Sequence, residues 1–195
     1  MRKKARLLQW AGGYREKRRM ANNTRKDDLL EKIADIETAM FLALPTTNGP
    51  APAQQKPEIF RLTRKMAHAA HGVEFLESLL ADLQAAAQGG RNLLKEKYDR
   101  AGQGREAAQN QVADAIADVE TGFLVQAGEK YPEILKGANA DVFRSYLRQD
   151  LEGLSPRSLE LYALELQEAA EQGKNPAIER HNWLAEKLGR PVLPE

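Results

Sequence analysis

A chain of 195 residues is long enough to bury a sizeable core, as one large domain or two small ones. It has no cysteine, which excludes disulfides and thiolate metal sites, and no apolar run of about 18 residues, which excludes a transmembrane helix. Its 29 Lys and Arg nearly balance 28 Asp and Glu, for a net charge of +1, and only 6% of residues are aromatic. Ala, Leu, Glu, Lys, Gln and Arg dominate, a composition that predicts a helical protein, and the lack of cysteine fits the cytoplasm.

The charge is unevenly placed. Residues 1–19 carry eight Lys or Arg and one acid, Glu16, and so bear +7; the remaining 21 bases and 27 acids leave the body at −6. Residues 1–23 form a basic leader with three readings. It is an arm for nucleic acid or an anionic membrane, or a targeting peptide, or else a mis-called start or a disordered, solvated tail. Leu7-Leu8-Gln9-Trp10-Ala11 is too short for a secretory core, and Met20-Ala21-Asn22-Asn23-Thr24 reads as a natural beginning, which favours the third.

Thr24 is placed to cap a helix, with Asp27 and Asp28 at its positive end. Leu29, Ile33, Ile36 and Met40 follow at spacings of four, three and four, predicting an amphipathic helix to about Leu44, stopped by Pro45. Pro45 to Pro52 is a loop by composition. A second helix starts near Pro57 and is expected to turn Ile59, Phe60, Thr63 and Ala67 inward. After Gly72 a third carries Phe75, Leu76, Leu79, Leu80 and Leu83 and closes at Gly89-Gly90. Asn92 opens a fourth with Leu93, Leu94 and Tyr98, ending in the linker Gly102-Gln103-Gly104.

The second half repeats the scheme. Val112, Ile116, Val119 and Phe123 share the four-three-four spacing, and Tyr131-Pro132 falls where the first half has its loop. Val142, Phe143, Tyr146 and Leu147 predict a helix ending near Gly153; Ser155-Pro156 opens one with Leu159, Tyr162 and Leu166, closed by Gly173. Asn175-Pro176 opens the last, with Ile178, Trp183, Leu184 and Leu188. No segment alternates with period two, so no sheet is expected.

The repetition has a fixed offset of 83 residues. Ile33-Ala34-Asp35-Ile36-Glu37-Thr38 returns as Ile116-Ala117-Asp118-Val119-Glu120-Thr121, identical at five of six positions, and Gly90-Arg91-Asn92 returns as Gly173-Lys174-Asn175. From Phe60 to Asn92, 10 of 33 positions match at that offset. The expected fold is therefore all-α, a pseudo-twofold duplicated domain of about eight helices in two four-helix halves, at 24–104 and 105–189, with a short tail at 190–195.

Candidate chemistry gathers on the equivalent acids Glu37 and Glu120. Glu37 lies about 55° from the centre of the Leu29/Ile33/Ile36/Met40 stripe, inside an apolar arc, and Glu120 inherits that place. Buried carboxylates need partners, and Arg61, Arg64, Arg144 and Arg148 on the following helices could supply them. A pure salt-bridge role is the plainer reading; metal binding or acid–base work is the functional one. His68 and His71 share a helix face, but no Glu-x-x-His pair accompanies them and the second half has Leu151 and Leu154 in their places. Packing is thus their expected role. The Gly90-Arg91-Asn92 turn and its twin read as plain cap-to-cap turns rather than anion sites. No nucleophile elbow, phosphate loop or dinucleotide fingerprint is present.

Several strings resemble a known family. Phe60-x3-Arg64-Lys65, Glu74-x-Leu76-Glu77-Ser78-x-Leu80-x-Asp82-Leu83 and, most specifically, Gly90-Arg91-Asn92-Leu93-Leu94-x-Glu96-Lys97-Tyr98 are similar to the bacterial domain-of-unknown-function family forty-one twenty-five. Ile36-Glu37-x-x-Met40-Phe41, Glu129-Lys130-Tyr131-Pro132, Tyr146-Leu147-Arg148 and Ser158-Leu159-Glu160-Leu161-Tyr162 extend the likeness over roughly residues 29–188. The resemblance implies a bacterial, all-helical protein and carries no mechanism. Relatives are expected to have Ser-Gln-Phe and a Trp where this chain has Met66-Ala67-His68 and His71, so any pocket there is altered. The functional expectation is a non-catalytic module binding a small ligand or a protein in the groove between halves, with no cofactor and no bound metal. The alternative is a small enzyme or metal-binding protein using Glu37 and Glu120. Nucleic acid is expected only through the leader.

Overall fold

The computed structural model describes residues 2–44, 56–102, 110–136 and 139–194, with the side chains of 2–20, 101, 102 and 135 outside that description. The Pro-rich loop from Pro45 to Pro52 and the end of the Gly102-Gln103-Gly104 linker also lie outside it. Among the described residues there are nine helices and no strand. They are α1 (Arg2–Leu42), α2 (Pro57–His68), α3 (Val73–Gln88), α4 (Leu93–Gly102), α5 (Gln111–Lys130), α6 (Pro132–Leu135), α7 (Ala140–Leu151), α8 (Pro156–Glu171) and α9 (Pro176–Lys187). The one-turn α6 is the addition to the eight expected. None of them is long and apolar enough to cross a membrane.

α1 begins at Arg2, so Thr24 lies inside a continuous helix instead of capping one. Elsewhere the punctuation holds. Pro57, Pro156 and Pro176 take first-turn positions, where the missing N–H costs no hydrogen bond. Ser155 and Asn175 cap α8 and α9 through their side chains. Two helices keep the 83-residue offset in both bounds: adding 83 to 57 and 68, the bounds of α2, gives 140 and 151, those of α7, and α3 maps in the same way onto α8, whereas α6 has no counterpart among the described residues.

The turns correspond too. Gly90 and Gly173 hold φ of 69° and 66°, and the next residue folds back, Arg91 N–H to Ala86 O at 2.8 Å and Lys174 N–H to Ala169 O at 2.9 Å. Asn92 Nδ2 donates to Met40 O at 2.7 Å, and Asn175 Nδ2 to Phe123 O at 2.9 Å, tying each turn to the first helix of its half. These are structural turns. A Cβ at Gly90 would meet nothing within 4 Å, so its penalty is purely conformational. Gly90→Ala is expected to destabilise the protein by about 1–2 kcal/mol in urea unfolding, and Gly90→Asn by less.

α1 packs on α2, α3 and α4, and α5 on α6, α7, α8 and α9; α3 against α8 and α2 against α9 join the halves. One apolar cluster runs through both, with Ile33, Phe75, Leu76, Ile116 and Leu151 at its centre. The buried faces agree with the spacing at Ile33, Met40, Ile116 and Phe123 and depart from it at particular positions. In α5, Val112 and Val119 are 47% and 45% exposed, while Ala113, Ala117, Glu120 and Ala127 face inward. In α1 the expected Leu29, Ile33 and Met40 are buried, and the buried face extends across Glu37 to Leu30, Ala34 and Phe41. Alanine permits close helix approach, so the stripe centres on the glutamates. Ile59 and Thr63 of α2 and Val142 and Tyr146 of α7 likewise turn outward, leaving Phe60, Arg148 and Leu151 inside.

Candidate functional site

A cavity of about 100 Å³ lies where α1–α4 meet α7 and α8. Its apolar wall includes Met40, Phe75, Leu79, Leu83, Leu94 and Leu147; its polar wall is Glu37, Arg64, His68, His71, Lys97, Arg100, Gln149, Asp150 and Tyr162. The polar groups form a chain of ion pairs that crosses between the halves. Arg64 Nη2 donates to Glu37 Oε1 at 2.6 Å, and Nη1 reaches Asp150 Oδ2 at 3.4 Å. Lys97 Nζ donates to the other Asp150 oxygen at 2.7 Å. His68 Nε2 lies 3.3 Å from Glu37 Oε1.

Burial favours a neutral Glu37, but the Arg64 guanidinium and His68 outweigh it and hold the carboxyl well below its usual range. Asp150 is also depressed, with burial opposed by Lys97 and Arg64. Burial lowers the Lys97 ammonium despite the attraction of Asp150. These carboxylates are ionised at neutral pH. Four polar atoms of the wall are nevertheless buried without a hydrogen-bond partner: Glu37 Oε2, Gln149 Oε1, Arg64 Nε and Arg100 Nε, the last still in an ion pair with Glu152 Oε2 at 2.9 Å.

His71 borders the same space. Its Nδ1 lies 2.7 Å from Glu165 Oε2, while Glu165 Oε1 accepts the Gly72 N–H at 2.9 Å. Burial lowers the His71 pKa against the pull of Glu165, so the ring is neutral, donates through Nδ1 and keeps a lone pair on Nε2. Its ring also packs on Phe75 and, edge-on, Tyr162, at centroid distances of 4.2 and 4.4 Å.

Glu120, the equivalent of Glu37, does not line the cavity. It is fully buried; Arg180 grips both oxygens, and Tyr162 donates its hydroxyl to Oε1 at 2.8 Å. Burial raises its pKa, but Arg180 more than compensates and depresses it. The remaining candidates lie elsewhere. Arg61 pairs with Glu31 and Asp35, and Arg144 with Asp118, on the outer face of each half; Arg148 is buried against Asp114 and Glu152. Thus Glu37, Arg64, His68 and His71 come together, and Arg61, Glu120, Arg144 and Arg148 do not join them. Sequence spacing missed Lys97, Gln149, Asp150, Tyr162, Glu165 and Arg180. The offset could have flagged Lys97 and Arg180, which are equivalent positions, 97 and 180.

Among the described residues no group of three or more His, Cys, Asp or Glu could hold a metal ion. The family described as "Protein of unknown function (DUF4125)" matches residues 27–195. The chain belongs to this family. No curated protein and no solved structure matches the chain. The DUF4125 match includes every residue of the cavity wall and starts within α1.

Proposed function

We propose that this DUF4125 protein binds a small molecule in the Glu37 cavity without transforming it. One observation carries the reading: the same buried glutamate has both oxygens engaged in one half and only one in the other. Glu120 has both oxygens engaged by Arg180 and Tyr162. At Glu37 the matching lysine, Lys97, turns to Asp150 instead, Leu79 stands where the other half has Tyr162, and Oε2 is left buried beside a cavity. Apolar replacements for buried ion pairs often stabilise a fold, so five charged side chains around a small cavity support a binding role over a purely structural one.

Ala67 lines the cavity, and Ala67→Leu would fill part of it. A compound that occupies the site at 100 times its Kd is expected to stabilise the native protein by about 2.7 kcal/mol, a rise of roughly 5–11 °C in Tm for a chain this size. A differential melting screen of small polar compounds measures this. Rises that vanish in Ala67→Leu support the reading; rises equal in both proteins place binding elsewhere and sink it.

A small enzyme is the second reading, favoured by the Glu165–His71 pair. A neutral imidazole oriented by a carboxylate at a cavity wall has the equipment of a general base. Glu120, with both oxygens engaged, is not available for that work. Chromatography of a bound compound after long incubation separates the two: product formation lost in His71→Gln, with binding retained, favours catalysis.

A further inference from the structure

We infer that the cavity takes a small uncharged molecule that donates a hydrogen bond, from a hydroxyl or an amide N–H, to His71 Nε2. The inference rests on the binding reading above and supplies the ligand's chemical class. Size comes first. A dry cavity of about 150 Å³ accepts benzene, so 100 Å³ holds in proportion about four heavy atoms. Charge comes next. Glu37 pairs with Arg64, Asp150 with Lys97 and Arg64, and Arg100 with Glu152, so each ion of the wall already has a counter-ion. A ligand with net charge would enter as an uncompensated buried ion.

Polarity sets the rest. Glu37 Oε2, Gln149 Oε1, Arg64 Nε and Arg100 Nε are closed off by the atoms around them and cannot meet a ligand. His71 Nε2 is not one of these, and it makes no hydrogen bond within the protein. The His71 ring stands between the cavity and a neighbouring hollow. Its Nδ1 meets Glu165, which lines the hollow and not the cavity, and the Nε2 edge is thereby left to the cavity side. A carboxylate only accepts, so the ring proton stays on Nδ1 and Nε2 offers a lone pair. Gly72 makes the contact possible: its N–H holds Glu165 Oε1, and a Cβ there would stand 2.9 Å from that oxygen and push it aside. The equivalent carboxylate of the other half, Asp82, is only a cap. It accepts the Ser155 N–H at 2.9 Å and the Ser158 hydroxyl at 2.6 Å, and Leu154 stands where His71 would be. One half has therefore set an acceptor beside a cap that both halves share, a change that capping does not require.

The test is an NMR titration of the full chain with probes matched in size: isopropanol and acetamide, which donate; acetone, which only accepts; and acetate, which is charged. At neutral pH, saturable binding of isopropanol or acetamide is expected, about tenfold tighter than acetone or acetate, because an acceptor-only ligand leaves the Nε2 lone pair unsatisfied. Glu165→Gln is the decisive variant. Gly72 N–H holds the amide oxygen, so the amide NH2 faces His71 Nδ1 and moves the ring proton to Nε2. That should erase the advantage of the donors, while the nitrogen shifts of the ring report the change of tautomer. If Glu165→Gln fails to fold or keeps its tautomer, His71→Leu takes its place, with the same loss expected. An advantage that persists in the informative variant overturns the inference. Equal or tighter binding of acetone or acetate to the wild type, lost in Ala67→Leu, overturns the donor class and keeps the cavity as a binding site. If no probe binds, the inference is overturned; the melting screen then decides the broader reading.

Discussion

Glu120→Ala is expected to destabilise the protein by about 3–5 kcal/mol, because it strands Arg180 and the Tyr162 hydroxyl in the interior. At about 2–4 °C per kcal/mol for a chain of this size, Tm should fall by roughly 6–20 °C. Glu120 is wholly buried and the Arg180 side chain is 12% exposed, so solvent does little to relieve the broken pair. Glu120→Gln keeps the volume and one acceptor oxygen, and should lose less. The informative variant is the double substitution Glu120→Leu with Arg180→Met. Removing both charges should recover much of the loss, since the penalty comes from the abandoned partner more than from the missing attraction. Urea unfolding of wild type, Glu120→Leu, Arg180→Met and the double completes the cycle. If either single variant lies within about 1 kcal/mol of wild type, Glu120 is not the closed, structural member of the pair, and the contrast with Glu37 loses its force.

That contrast was only half legible in the sequence. Helix boundaries were written in local chemistry, as Pro57, Pro156 and Pro176 at first turns and Gly90 and Gly173 past helix ends show. The 83-residue offset then fixed which helices correspond. Faces were harder. Counting Val112 and Val119 as core rotated the stripe of α5 away from Ala113 and Ala117, because a large apolar residue weighs more on a helical wheel than an alanine that lets two helices close. With the stripe rotated, Glu120 and Glu37 looked like its edge and proved to be its middle. The site divides the same way. Glu37, Arg64 and His68 lie on adjacent helices of one half, where spacing is informative, while His71, expected on the same helix as His68, lies in the turn between α2 and α3. Asp150, Gln149 and Glu165 arrive from the other half, and no spacing rule says that α7 and α8 will meet α1–α4 at that point. Nor could spacing say that Arg64 would turn inward while Arg61, three residues earlier, pairs with Glu31 and Asp35 at the surface.

Acid should unfold this protein in two stages, both with the same sign. His71 comes first. In the unfolded chain its imidazole takes a proton near 6.5, but in the folded protein burial lowers that value and Glu165 only partly restores it. The unfolded state therefore binds more protons as pH falls below about 6.5, and stability declines from there toward the folded value. The ring faces Glu165 of α8, His68 of α2 and Glu120 of α5, and none of these reverses the direction. Carboxylates make the second stage. Glu37 and Glu120 have an ordinary value of 4.5 and Asp150 of 3.8, and all three are depressed in the folded state. Their contribution is complete above those ordinary values and drains away as pH falls through the folded ones, at about 1.4 kcal/mol per unit of depression. Urea midpoints at pH 7.5, 5.5, 4 and 3 should therefore decline throughout, most steeply below 4.5. His71→Leu, which installs the residue found at the equivalent position 154, should flatten the decline between 7.5 and 5.5 and leave the lower stage in place. A wild-type midpoint that rises between 7.5 and 5.5 would mean that His71 is held charged in the folded protein. It would then carry a proton on Nε2 as well, and the general-base reading of the Glu165–His71 pair would go with it.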